Sequence, residues 1–124
     1  MELAGELRDW FFRTFQVAPQ LHDKRVAEVQ RQVKAWNASG QRGKKLMCTD
    51  RSPWLSMSVR TASFKADCNR IKCQLCDILE LNEEKMTIRS EPMVNMRGMT
   101  QFLGPKGYQL AVQIEMEDIT LGGV

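Results

Sequence analysis

The residues best suited to chemistry are four cysteines, one histidine, two groups of acids and a terminal pair of glycines. Cys68, Cys73 and Cys76 have the spacing of the first three ligands of a plant-type ferredoxin cluster. The fourth ligand of such a cluster lies downstream, and here the remaining cysteine, Cys48, lies upstream. Structural zinc has no support in spacing, because no Cys-x-x-Cys pair is repeated and His22 is the single histidine. Buried, unpaired thiols are the reading these positions favour, with no metal expected. His22 opens a charged helical stretch, where a solvated or capping role is the expectation. Glu83-Glu84 falls in a turn and Glu115, Glu117 and Asp118 cluster near the end of the chain, so both groups read as solvated. Ile119-Thr120-Leu121-Gly122-Gly123-Val124 differs in kind. Adjacent glycines leave backbone N–H groups unshielded, so that a phosphate oxygen can approach them closely.

The frame around these residues is small. The chain has 124 residues, 43% of them apolar and 27% charged, which is ordinary composition for one globular domain. A domain of this size buries roughly two-thirds of its unfolded surface. No apolar run approaches the ~18 residues that cross a bilayer. The first ten residues carry Glu2, Glu6, Arg8 and Asp9, unlike a secretory leader. The net charge is +3, with eleven Lys/Arg against six Asp/Glu in residues 1–60 and seven against nine in residues 61–124. That basic front half suits an anionic surface or a plain solvated face. It is too weakly charged to argue for nucleic acid.

The elements follow from periodicity. Trp10, Phe11, Phe12 and Phe15, interleaved with Arg8 and Arg13, suit either a membrane–water interface or a short helix covering the domain's own core. Val26, Val29, Val33 and Trp36 predict a helix over 21–36, ended by the turn residues 37–43. Leu46–Thr49 reads as a short buried strand, Leu55, Met57 and Val59 alternate like another, and residues 71–81 are extended. Residues 82–85 form a polar turn that makes a hairpin with 86–89. Asn95 can cap a second helix bearing Met96, Met99, Phe102 and Leu103, and Tyr108–Ile114 returns as a strand. The fold class is α+β: a first helix, then a small mixed sheet with one further helix.

From Ala18 onward the chain resembles the Δ24-sterol reductases, flavoproteins with a PCMH-type FAD-binding domain. Ala18-Pro19-Gln20-Leu21-His22, Arg25-Val26, Gln32-Val33, Met47-Cys48-Thr49 and Asp77-Ile78-Leu79-Glu80 carry the resemblance. Glu91-Pro92-Met93-Val94, Gly107-Tyr108 and the run from Glu115 to Gly123 complete it, in one register over roughly residues 7 to 124. The resemblance implies a membrane-proximal lead-in over 1–17 and an incomplete FAD-binding domain over 18–124. It implies that Thr120, Leu121, Gly122, Gly123 and Val124 begin the run that wraps the FAD pyrophosphate. It further implies that Thr49, Arg51 and Ser52 lie in the turn near the cofactor, although Asp50 and Pro53 replace that turn's glycines. NADPH is the implied reductant, a sterol the substrate of a full-length form, and the endoplasmic reticulum membrane the implied setting. No residue here is identified as the proton donor, so the isolated chain is expected to be inactive. The alternative is a non-catalytic module working at a membrane surface through Trp10, Phe11, Phe12 and Phe15.

Overall fold

A computed structural model of the chain describes Leu7, residues 18–51 and residues 62–124. Ser52, the aromatic group from Trp10 to Phe15, and the alternating residues Leu55, Met57 and Val59 lie outside the described residues. The described contacts gather into two compact units, one drawn from residues up to His22 together with Leu75–Val124, the other from Asp23–Gln74.

Helix α1 spans Ala18–Ala38, with Pro19 in its first turn, where a missing N–H goes unused. Leu21, His22, Arg25, Val26, Val29, Gln32, Val33 and Trp36 are half-buried at helical spacing, while the residues between them are exposed. The helix stops where Ser39 bonds back to Trp36 O, its Oγ at 2.6 Å, and Gly40 turns the chain with a φ of 69°. In the Asp23–Gln74 unit, strands β1 (Met47–Thr49) and β2 (Asn69–Ile71) pair in parallel, Cys48 opposite Arg70. A 3₁₀ turn over Ala62–Asp67 leads into β2. The Gln32 side-chain amide grips the backbone beyond β2, donating to Lys72 O at 3.1 Å and accepting from Lys72 N–H at 2.8 Å.

In the other unit, β3 (Ile78–Asn82) and β4 (Thr87–Ser90) form an antiparallel hairpin with an irregularity between Ile78 and Glu80. Met86 closes the turn at a φ of 50°. Helix α2 (Met96–Leu103) is capped by Asn95, whose side-chain oxygen accepts the Gly98 N–H at 2.9 Å. Val94, Met99 and Leu103 form the core, with Ile78, Leu81, Ile88, Phe102, Tyr108, Leu110 and Leu121 packed against it. Gly104-Pro105 and Gly107, at a φ of 80°, end the helix.

The architecture is α+β: among the described residues, two α-helices and two separate two-stranded sheets, instead of one mixed sheet. Two expectations need correction. The strand expected over Leu46–Thr49 is found as Met47–Thr49 and is not buried: Leu46, just before it, and Met47 are 75% and 41% exposed. Tyr108–Ile114 is not a strand. Tyr108 and Leu110 do pack on the core, so the alternation is real, but no ladder partner lies beside them among the described residues. Alternation reports which side chains are buried, and a strand also needs a neighbour to receive its backbone hydrogen bonds.

Candidate functional site

The terminal glycines are positioned by the segment Glu91–Arg97. Pro92 and Met93 form a turn that Val94 N–H closes onto Glu91 O at 3.2 Å, and this segment is bonded on both sides. On one side Glu91 N–H donates to Asp77 O at 2.9 Å and Met93 N–H to Leu75 O at 2.8 Å. On the other, Leu121 N–H donates to Val94 O at 2.9 Å and Met96 N–H to Ile119 O at 3.0 Å. Asn95 and Thr120 form an antiparallel bridge. Residues 117–122 are thus laid along residues 92–97 without becoming a regular strand.

The Glu91 side chain anchors this arrangement. The residue is 1% exposed. Its Oε2 accepts the Asp77 N–H at 2.9 Å, and its Oε1 lies 2.9 Å from His22 Nδ1. A carboxylate accepts only, so the imidazole nitrogen is the donor. Burying a carboxylate costs several kcal/mol unless such partners offset it. His22 is therefore not simply a solvated or capping residue: it is half-buried, and its ring partners an acid far along the chain. Sequence reasoning quoted Glu91-Pro92 as part of a resemblance but missed the burial of the acid. An acid directly before a proline, at the end of the hairpin, was the available signal.

Thr120 is buried, Leu121 is half-buried, and Gly122, Gly123 and Val124 are exposed. The diglycine amides, however, do not stand open. Gly122 N–H donates to Pro92 O at 2.8 Å and Gly123 N–H to Thr120 O at 2.9 Å. The need for glycine has a different origin at Gly122. A Cβ there would meet Pro92 Cβ at 2.7 Å and Pro92 O at 3.1 Å, so the close approach of two backbones excludes a side chain. Nearby, Arg97 is occupied by Glu117 at 3.0 Å and Asp118 at 3.8 Å, which makes these acids partners of an arginine. In this arrangement both glycine N–H groups make hydrogen bonds within the chain and do not stand bare.

In the Asp23–Gln74 unit, Thr49 ends β1 and is exposed, while Arg51 is half-buried. Their carbonyls converge on Lys65, which is 6% exposed and donates from Nζ to Thr49 O at 3.0 Å and to Arg51 O. Asp50, between them, accepts the Cys73 N–H on Oδ1 at 3.3 Å and donates its own N–H to Ile71 O at 2.9 Å. The Asp50 carboxylate, standing where the resemblance has glycine, thus ties the loop to the chain beyond β2. The four cysteines are half-buried and none is in a disulfide. No group of three potential metal-ligating side chains occurs among the described residues.

Comparison with known proteins gives the chain its class first: its relatives are reductases, and so oxidoreductases. In particular, it is related to the Delta(24)-sterol reductases. It is 38% identical over 118 residues to the Delta(24)-sterol reductase of Rattus norvegicus, covering 95% of this chain and 22% of that protein. It is 40% identical over 108 residues to a Delta(24)-sterol reductase homolog of Caenorhabditis elegans, covering 86% and 20%. It is 35% identical over 115 residues to the Delta(24)-sterol reductase of Arabidopsis thaliana, covering 90% and 20%. The chain spans about a fifth of the length of these relatives. No protein-family model and no solved structure matches it. Among the described residues no helix is long and apolar enough to cross a membrane.

Proposed function

We propose that the chain forms part of a sterol-reducing flavoprotein of PCMH type. In that reading, the longer protein reduces the side-chain C24 double bond of a sterol, with NADPH as reductant and FAD as the hydride carrier, at the endoplasmic reticulum membrane. The observation that carries it is the match to Delta(24)-sterol reductases along nearly the whole of this chain. Within such a protein, this chain's own contribution is structural: Glu91 holds three backbone segments together, and Lys65 shapes the loop after β1. With the Gly122 and Gly123 amides used internally, the isolated chain holds FAD weakly or not at all and is inactive. A chimera tests the reading. Residues 18–124 would replace the matching segment of the rat enzyme, and reduction of a Δ24-sterol would be followed by mass spectrometry. Retained reduction supports the assignment. A folded chimera that has lost reduction while the parent enzyme keeps it contradicts the assignment.

A second reading, action at a membrane surface, rests on the sequence pattern of Trp10, Phe11, Phe12 and Phe15 beside Arg8 and Arg13. Flotation with anionic liposomes, with and without residues 1–16, tests it. Lipid binding that depends on those residues supports it, and no binding in either form ends it.

A further inference from the structure

Two thiols in the Asp23–Gln74 unit play no part in the function proposed above. Cys48 is the middle residue of β1, opposite Arg70 of β2. Cys68 immediately precedes β2, and the bond from Asn69 N–H to Leu46 O, at 2.8 Å, sets it beside Leu46. Cys68 thus lies one position before the ladder begins, diagonal to Cys48 across the parallel pair. The two thiols are near enough for Cys68 to act on the Cys48 thiol. Cys68 Sγ in turn donates to Phe64 O at 3.3 Å. Burial first, and then the neighbouring Cys68 thiol, pushes the Cys48 thiol up from its ordinary range, outweighing the nearby charges of Lys65 and Arg70.

We propose that Cys48 and Cys68 are a redox-sensitive pair that closes to an intramolecular disulfide by exchange with a low-molecular-weight disulfide. The Cys68 thiolate attacks one sulfur of the incoming disulfide. Its S–S bond breaks, and one half leaves as a thiolate that takes up the proton Cys68 released. Cys48 then loses its proton and attacks the Cys68 sulfur, expelling the second half, which takes up that proton. Two protein thiols are oxidised by two electrons, and one small disulfide is reduced to two thiols. Diagonal neighbours across a ladder are farther apart than directly opposed residues, whereas an unstrained disulfide wants its Cα atoms about 5.5–6 Å apart. Closure therefore draws the turn at Cys68 toward β1, and the bond is easily reduced again. A reversible bond of that kind suits a regulatory role better than a structural one.

The test is peptide mapping of the whole chain after incubation with oxidised glutathione and quenching with an alkylating agent, once in native buffer and once in urea. In native buffer the expected product links the Cys48 and Cys68 peptides, while Cys73 and Cys76 are alkylated. In urea, loop closure favours the shortest loops, so the Cys73–Cys76 link should dominate. Cys48→Ser should leave Cys68 carrying glutathione, whereas Cys68→Ser should leave Cys48 unmodified. Circular dichroism checks that both variants fold, and the unmutated chain carries the central result whether or not they do. A native map that matches the urea map, that links Cys73 to Cys76, or that shows no Cys48–Cys68 link overturns the proposal.

Discussion

Glu91 and Lys65 are charged residues removed almost entirely from solvent, one in each compact unit, and they hold irregular backbone in opposite ways. Glu91 gathers donors: a histidine ring on one oxygen and the Asp77 amide on the other. Lys65 gathers acceptors, the carbonyls of Thr49 and Arg51 at the end of β1. The carboxylate sits among segments already cross-bonded to one another, so its loss strands the buried Asp77 amide, while the half-buried His22 ring keeps some access to water. The ammonium serves a loop in which Thr49 is exposed, so its carbonyls can turn to solvent. The difference teaches that a buried charge matters in proportion to what its removal leaves unsatisfied.

The strongest way to break this comparison is Glu91→Ala. It leaves the buried Asp77 amide unmatched and the His22 ring without its acid, and should lower stability by about 3 kcal/mol in urea unfolding. Glu91→Gln, which keeps an acceptor for Asp77, should cost roughly half as much. Lys65→Met keeps the length of the side chain and removes two charge-assisted bonds, with an expected loss of about 2 kcal/mol. An effect of Lys65→Met larger than that of Glu91→Ala would reverse the ranking.

Gly122→Ala comes next. The added Cβ overlaps Pro92, and the segment must move away, breaking the Gly122–Pro92 bond at a cost of about 1–2 kcal/mol. Faster amide exchange at Leu121 and Gly122 would report it. Gly123→Ala meets only Thr120 Oγ1, at 3.2 Å, and should be milder. Similar exchange rates in the two variants would show that the close approach to Pro92 is not what demands glycine. The smallest effect is expected at Trp36, whose indole N–H is buried with no hydrogen-bond partner among the described residues. Trp36→Phe removes that unsatisfied donor and should change stability by no more than about 0.5 kcal/mol, since lost packing area offsets the gain. A loss of several times that amount would point to a partner for the indole.

Much of this fold was legible in the sequence where side-chain periodicity decides structure. Val26, Val29, Val33 and Trp36 marked α1, Asn95 marked the start of α2, and the polar turn after Leu81 marked the hairpin. What could not be read was tertiary. Nothing in the local sequence says that Lys65 is enclosed, or that His22 finds an acid sixty-nine positions away. The need for glycine near the end was visible, but its reason was not. The close approach of Pro92 to Gly122 is a tertiary fact that the terminal run does not spell out.

The central claim is that the Gly122 and Gly123 amides serve the chain itself and are not an open anion site. The direct measurement is an amide NMR spectrum of the 124-residue chain titrated with FAD. The account predicts that both glycine resonances stay in place, with slow exchange at Gly122, and that no yellow complex survives desalting. Saturable shifts at both glycines, accompanied by a stoichiometric flavin complex, would contradict it.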